Sequence, residues 1–199
     1  YPDVYEVGLP NQGLKILYEI LNESPIAEAE RAYAPWVDLE EIMRRERIPL
    51  FSVDTHRPAN EFDVIAFNLS SELVYTNLIN CLDLAGVPVM SSDRNGKHPI
   101  IGAGGHCVYN PEPLADIVDF FALGDGEEVV SDITEVIHQF KSIKNVMHSR
   151  QELLFELSKI EGVYVPSLYQ ATYDINGAQI LKPISDEVPE LIEKRTIVD

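Results

Sequence analysis

The chain alternates short apolar runs with amphipathic segments, in the order expected of alternating strands and helices. Three runs are almost continuously apolar: DVIAFNL over Asp63–Leu69, then His98–Ala103 and Ile117–Leu123. Such runs are typical of strands that are buried on both faces of a sheet. Helical periodicity follows over Leu73–Leu84 and Glu127–Phe140. This order predicts a Rossmann-like, flavodoxin-like α/β fold, in which a parallel sheet has helices on both faces.

The pattern also predicts helices and short strands outside these runs. Gln12–Leu21 is helical, and a second helix spans Asp38–Arg45 with its first residue as the N-cap. Ala29–Ala34, Pro49–Val53 and Val87–Ser91 are short strand candidates. The apolar side chains expected to point inward from the second helix are Leu39, Ile42 and Met43.

The character of the sequence changes after Lys141. A further helix is predicted over Ser149–Lys159, with its first residue as the cap. Two strands, Tyr164–Asp174 and Ala178–Ile184, flank the dipeptide Asn176-Gly177, which is typical of a tight hairpin turn. We expect this hairpin to lie beside the sheet as an appendage.

These patterns divide the chain into three parts. They are an α/β domain over 1–141, a helix and hairpin appendage over 142–185, and a charged, proline-containing linker over 186–199. No complete strand precedes the first predicted helix, although a doubly wound sheet places its first strand centrally. We therefore expect an apolar run of strand length upstream of Tyr1. A chain without that strand is expected to self-associate, because inner strand edges would be unpaired.

Composition narrows the classes of function. Lys and Arg total 15 against 33 Asp and Glu, and the net charge of -18 repels the phosphate backbone of nucleic acids. No apolar run approaches the length of a membrane span. Cys81 and Cys107 form no metal-ligand spacing, and such sparse use of cysteine suits a reducing compartment. We therefore expect a cytoplasmic protein that binds neither nucleic acid nor membranes.

Glycines cluster where two of the buried runs end. They are Gly102, Gly104 and Gly105 after one run, and Gly124 and Gly126 after the other. Ligands of open α/β sheets lie beyond the carboxyl ends of the strands, so the position suits a cofactor. Turns without a ligand are the alternative explanation. Neither cluster completes a phosphate-binding motif, and the acidic Glu127-Glu128 pair would repel phosphate. A large neutral ligand therefore fits better than a nucleotide.

The sequence contains no convincing arrangement of catalytic side chains. Asp125 with Glu127 is an acid–base pair in principle, but helix capping by Asp125 explains it more simply. Asp116 and Asp119 flank a strand start and are interpreted as solvated. His106 adjoins the glycine clusters, and filling a turn is favoured over contact with a cofactor.

Three ordered motifs strengthen the cofactor hypothesis. They are Asp3-x-Tyr5-x-x-Gly8 before the first helix, Ser71-x-Leu73 after DVIAFNL, and Gly104-Gly105 after the next run. The set resembles the D-x-H-x-x-G, S-x-L and G-G signature of cobalamin-binding domains. Tyr5 stands where that signature has the histidine that ligates cobalt, and the gap between the first two motifs is long.

Further stretches extend the resemblance over nearly the whole chain. They are PDVYEVG, LKILYEILN, APW, LDLAGVP, NPEPLAD, GDGEE and GVYVPSLY. Together they resemble the N-terminal region of a family of cobalamin-binding-domain/radical-SAM proteins. In that family a radical S-adenosylmethionine barrel follows. The resemblance implies that this chain is an accessory domain of a radical SAM enzyme and that the barrel is its partner. The 4Fe-4S cluster and S-adenosylmethionine are then expected only in the barrel.

The resemblance also implies a cobalamin site with no protein ligand to cobalt. The residues implied to contact the cofactor are Asp3, Tyr5, Gly8, Ser71, Leu73, Gly104, Gly105, Gly124 and Gly126. No catalytic or metal-ligating residue is expected. Two other functions stay open. One is a degenerate domain that binds no cofactor and packs against the barrel or another partner. The other is a sensor or flavodoxin-like electron carrier, which is disfavoured because DVYEVGLPNQG lacks a Ser/Thr-rich phosphate loop.

Overall fold

Helices and strands alternate along the first two thirds of the chain, and a hairpin follows. The structure is a computed structural model that describes residues 1–142 and 149–197. The helices are α1 (Tyr5–Gly8), α2 (Gln12–Glu23), α3 (Val37–Glu46), α4 (Tyr75–Leu84), α5 (Gly126–Ser142) and α6 (Arg150–Leu157). The strands are β1 (Val64–Asn68), β2 (Ile100–Gly104), β3 (Phe120–Ala122), β4 (Val163–Tyr164), β5 (Tyr169–Tyr173) and β6 (Gln179–Pro183).

The first four strands form one sheet in the order β1-β2-β3-β4. β1, β2 and β3 are parallel, with Ala66 opposite Gly102 and Gly102 opposite Phe120. β4 joins antiparallel, with Phe121 opposite Tyr164. The predicted parallel α/β fold is confirmed. We call the side of the sheet where the parallel strands end the carboxyl edge, and the side where they begin the amino edge.

Helices cover both faces of this sheet, as predicted. Successive strand residues point to opposite faces. Ile101 and Phe121 therefore belong to a core shared with α3 and α4, whereas Ile100 and Phe120 belong to a second core shared with α5 and α6. The prediction of burial on both faces is wrong for β1, where Ala66 is exposed. β1 is the end strand in the sheet order, and α2 approaches it only near Asn68.

The three short strand candidates do not form sheet strands. Ala29–Ala34 is irregular, and its hydrogen bonds run to separate segments: Ala34 N donates to Asp3 O, and Arg31 O accepts from Val53 N. Pro49–Val53 contains one isolated bridge between Phe51 and Pro58. Val87–Ser91 leads into a short 3-10 turn. Pro88 interrupts the last of these segments, and proline cannot donate to a strand ladder.

The start of α3 also differs from the prediction. The helix has Trp36 as its N-cap, without a side-chain capping bond. Asp38 lies in the first turn, where its carboxylate accepts from the Leu39 amide at 2.8 Å. An acidic residue in the first turn still interacts favourably with the helix dipole, so the predicted role of Asp38 at the start of the helix had a physical basis, two positions after the cap.

Of the three inward side chains predicted for α3, only Met43 is buried, and Leu39 and Ile42 are exposed. The reason is the contact of α3 with α4, which is partly polar. Asn80 Nδ2 of α4 donates to Glu40 Oε2 at 2.8 Å. This polar pairing turns part of the apolar face of α3 toward solvent.

The C-terminal third contains the predicted helix and hairpin. Ser149 and Glu152 form a capping box at the start of α6. The predicted strand Tyr164–Asp174 divides in two, since Val163–Tyr164 joins the central sheet and Tyr169–Tyr173 pairs with β6 in a separate sheet. The hairpin is confirmed as an appendage. No helix in residues 1–142 and 149–197 is long and apolar enough to cross a membrane.

Candidate functional site at the carboxyl edge

The structure brings the nine predicted site residues to the carboxyl edge. Ser71 follows β1, Gly104-Gly105 ends β2, and Gly124 and Gly126 follow β3. The Leu69 amide donates to Gly104 O at 2.7 Å, which ties the first two turns together. The N-terminal motif lies beside them, because the Tyr1 hydroxyl is 2.8 Å from Ser70 Oγ.

Each residue of the N-terminal motif makes contacts within the chain that account for its presence. The Asp3 carboxylate accepts from the Val4 amide at 2.8 Å. The Tyr5 ring is half exposed and meets the Tyr33 ring edge-on, with the centroids 5.2 Å apart. A Cβ at Gly8 would lie 2.5 Å from Tyr33 ring carbons. Gly8 therefore makes room for an aromatic ring of the same chain.

Tyr33 carries a polar group without a partner. Its hydroxyl is buried and has no hydrogen-bond partner among the described residues. Burial also raises the pKa of the Tyr33 phenol. A buried donor without an acceptor is costly. The Tyr33 hydroxyl is thus the one unsatisfied polar group that the described residues present beside the predicted site.

The Ser71-x-Leu73 motif forms a local turn. Ser71 caps a 3-10 turn over Glu72–Val74, and its hydroxyl accepts from the Leu73 amide at 3.3 Å. The Leu73 side chain is 87% exposed. Ser71 therefore has a structural role in this turn. Leu73 is not part of the core, so packing within the domain does not explain an apolar residue at this position.

The glycines that end β2 differ from one another. A Cβ at Gly102 would collide with the Phe120 ring, and one at Gly105 would lie 2.7 Å from Leu69 O in a backbone with φ of +102°. At Gly104 the nearest atom is Ala122 O at 3.8 Å, an ordinary contact. The chain therefore requires the first two glycines but leaves space at Gly104.

The glycines after β3 are closed by other parts of the chain. Gly124 has φ of +101°, and a Cβ there would collide with the Arg195 carbonyl oxygen. A Cβ at Gly126 would lie 3.1 Å from Leu17 Cδ2 of α2. The Asp125 carboxylate accepts from the Ile197 amide at 3.0 Å. The segment predicted as a linker therefore packs back onto this turn.

Nucleophilic or metal chemistry has little support at this edge. Cys107 is buried, and burial raises the pKa of its thiol, so the unreactive protonated form dominates at neutral pH. His106 is exposed at the start of a short 3-10 turn. His148 lies outside the described residues. Within residues 1–142 and 149–197, no group of three His, Cys, Asp or Glu side chains is placed to hold a metal ion.

A charged cluster at the amino edge was missed by sequence reasoning. Asp119 is buried, and its Oδ2 accepts from Arg94 Nη1 at 2.7 Å, Arg150 Nη2 at 2.6 Å and the Ile101 amide at 2.6 Å. The prediction that Asp119 is solvated is therefore wrong. A lone acid inside the apolar run IVDFFAL was a signal that a partner is needed. Arg94 and Arg150 stand far away in sequence, so the partners could not be named.

Parts of the chain itself occupy much of the space that the predicted corrinoid was expected to use at the carboxyl edge. Three of the glycines expected to admit it, Gly8, Gly105 and Gly124, face atoms of the chain itself. The Ser71 hydroxyl is engaged in its own turn. Only Gly104 offers backbone that the chain leaves open.

Large apolar side chains are exposed along the same edge. We call this surface the apolar rim: it consists of Tyr5, Trp36, Val37, Leu73 and Tyr109. Trp36 is 65% exposed. Isolated exposed apolar residues are ordinary, but a group of them at one place marks an interaction surface.

Contacts between neighbouring elements place the members of the rim at the same end of the domain. Glu40 binds Asn80, and Arg44 binds Asp83, so α3 and α4 run side by side in the same direction. Their first turns, with Trp36 on one and Leu73 just before the other, therefore lie at the same end. Tyr5 joins them through its contact with Tyr33. The turn that contains Tyr109 lies beside β1, since the Cys107 amide donates to Leu69 O at 3.1 Å.

Comparison with known proteins places the chain in a family. Residues 13–166 match the family described as radical SAM proteins, N-terminal. A search of curated proteins and a search of solved structures gave no match. The matched span is well over half of the 199 residues and includes the sheet, α2–α6 and most of the carboxyl edge. The chain therefore belongs to the family of N-terminal domains of radical SAM proteins.

Proposed function

We propose that this accessory domain docks through its apolar rim onto the radical SAM part of the same protein, and that it binds no corrinoid. The observation that carries the proposal is the exposure of five large apolar side chains along the carboxyl edge. The neighbouring glycine turns are filled by the chain itself, so the edge offers a surface more than a crevice. The iron–sulfur cluster and S-adenosylmethionine belong, in this proposal, to the docked partner domain.

The chemistry of the rim fits a protein partner. Trp and Tyr are the residues that most often dominate the binding energy of protein interfaces, and truncating such a residue costs roughly 2 kcal/mol or more. The acidic Glu6, Asp38 and Glu72 stand directly beside rim residues in sequence and are exposed. The matching surface is therefore expected to be apolar at its centre and basic around it.

A paired variant tests the docking in the full-length protein. Trp36→Ser combined with Leu73→Ser removes the largest and the most exposed side chain of the rim, which lie on adjacent elements. We expect faster hydrogen exchange at the first turns of α3 and α4, and thermal unfolding in two transitions in place of one. Ile175→Ser at the hairpin tip is the control, because that side chain is 97% exposed and lies outside the rim. Fast exchange at these turns in the unmodified protein would refute docking.

A corrinoid module is the second candidate, and the open side of Gly104 favours it. An absorbance titration of the full-length protein with hydroxocobalamin separates the two. The docking proposal expects no spectral change. Binding that is lost in Gly104→Leu and kept in Tyr5→Phe would establish the corrinoid instead. A nitrogen-ligated spectrum that disappears in His106→Ala would show that His106 ligates cobalt.

A further inference from the structure

The segment Val188–Ile197, which we call the strap, runs along the carboxyl edge of the sheet, across the carboxyl end of β3 and the amino end of the antiparallel β4. We propose that the strap is a releasable cover, held by the ion pairs of Arg195, that controls access to the Gly124–Gly126 turn. This proposal concerns the half of the carboxyl edge that lies away from the apolar rim. It depends neither on docking of the rim nor on binding of a corrinoid.

A notch made by two glycines receives the strap. Gly124 and Gly162 have φ of +101° and +84°, and a Cβ at either would meet the Arg195 backbone. The Arg195 amide donates to Leu123 O at 2.8 Å, and its carbonyl accepts from the Asp125 amide at 3.0 Å. One residue of the strap therefore extends the sheet at a point where only glycine leaves room.

Exposed ion pairs hold the far end of the strap. The Arg195 guanidinium is 3.0 Å from Glu128, 3.2 Å from Asp132 and 3.7 Å from Glu161. The three acidic side chains are each about half exposed. Pairs of this kind are individually weak and are screened by salt. The ion pairs of Arg195, which we call the latch, are therefore sensitive to ionic strength and to any competing charge.

The near end of the strap is fixed more firmly. Val188 is buried in the core beneath α5 and α6, and the Tyr169 hydroxyl donates to Pro189 O at 2.6 Å. Leu191, between the two ends, is exposed, whereas Ile192 is half-buried and packs against the core. Segments with few buried contacts open locally at a small fraction of the global unfolding free energy. The part of the strap after Ile192 is thus the part that opens when Arg195 is released.

Release would change the chemistry of the carboxyl edge. The Leu123 carbonyl, the Asp125 amide and the Asp125 carboxylate would each lose their partner in the strap. These groups lie on both sides of Gly124, whose backbone would then be bare. An extended peptide could pair with them in the register that Arg195 now occupies, since unpaired strand groups accept an added strand.

Hydrogen exchange in the full-length protein tests the strap. Arg195→Gln should accelerate exchange of the Asp125, Arg195 and Ile197 amides about tenfold, because the latch is lost while the core stays folded. Arg45→Gln is the control, since it removes the same charge from an exposed arginine that pairs with Glu46 away from the strap. Raising the salt concentration should accelerate the same amides in the unmodified protein but not in Arg195→Gln.

Alanine substitutions at two glycines distinguish displacement of the strap from the strain of a positive φ. Gly124→Ala should displace the strap, because the new Cβ collides with Arg195. Gly177→Ala has a similar φ of +82° but no neighbour within 4 Å, so it should leave the strap amides unchanged. The proposal is overturned if Arg195→Gln and Gly124→Ala leave strap exchange unchanged. Equal acceleration throughout β1–β3 would also overturn it, since the strap would then not open separately.

Discussion

The two edges of the central sheet use their side chains in opposite ways. At the amino edge, Asp119, Arg94 and Arg150 are buried charges that bind one another and fix the starts of β2, β3 and α6. At the carboxyl edge, Trp36 and Leu73 are apolar and exposed. Charge inside and apolar surface outside is the reverse of the usual distribution. Each departure therefore needs a reason, and the reasons differ.

The amino edge is explained within the chain. Arg94 donates to the carbonyls of Pro88, Val89 and Ile117 as well as to Asp119. Burial alone lowers the pKa of Arg94, and the Asp119 carboxylate opposes this. A buried arginine with most of its donors engaged specifies one arrangement of the loops around it. Both guanidinium groups thus find their carboxylate within the chain, and Arg150 Nε is the one nitrogen of the cluster that is buried without a partner among the described residues. The exposed rim, in contrast, is accounted for only by the docking that we propose.

The largest expected effect lies at the amino edge. Asp119→Ala leaves two buried guanidinium groups without their carboxylate, and breaking such a buried pair costs about 3–5 kcal/mol. Urea unfolding of the domain should show a loss of this size. Asp116→Ala is the matched control, because that exposed side chain lies three positions away. A loss below about 1 kcal/mol would mean that the cluster does not hold this edge together.

The glycines provide the next comparison. Gly102→Ala places a methyl group against the Phe120 ring in the sheet core, and overpacking of this kind costs about 1–3 kcal/mol. Gly104→Ala, two residues closer to the carboxyl edge, meets only an ordinary contact at 3.8 Å. Its free energy of unfolding should change by less than about 0.5 kcal/mol. Equal losses would show that Gly104 is also held by the sheet and is not open for a ligand.

These pairs show which parts of the structure the sequence could predict. The apolar runs predicted β1, β2 and β3 because strand burial is a local property of composition and period. The glycine clusters correctly marked the ends of β2 and β3. Their occupants could not be predicted, since Tyr33 and Arg195 reach Gly8 and Gly124 through tertiary packing. The partners of Asp119 were hidden for the same reason.

The predictions for the N-terminal segments were wrong for a different reason. Ala29–Ala34 contains only one residue of high strand propensity, Tyr33, and its hydrogen-bond partners lie on two separate segments, whereas a strand needs one neighbour in register. Leu39 and Ile42 followed the helical period correctly and are nevertheless exposed. That mismatch between a good apolar pattern and poor burial occurs on α3, the helix that begins at the rim.

The smallest expected effect concerns the polar contact that aligns α3 with α4 at the rim. Hydrogen bonds from Arg44 and then Asn80 hold the pKa of Glu40 below its ordinary value of 4.5. A carboxyl group whose pKa is lower in the folded state stabilises the protein above its unfolded pKa, and that stabilisation is lost as the pH falls through the folded value. Glu40→Gln should therefore cost about 0.5 kcal/mol at pH 7.

The pH dependence of that loss is the informative measurement. Urea unfolding across pH 7 to 3 should show the difference between Glu40→Gln and the unmodified domain shrinking below the ordinary carboxyl pKa, because protonated Glu40 and Gln are then both neutral. Glu46→Gln is the control, since Glu46 pairs only with the exposed Arg45. A difference that stays constant with pH would mean that Glu40 acts through packing, not charge. The alignment of α3 with α4 would then rest on the bonds from Arg44 to Asp83 and Asn80 and on the packing of Met43.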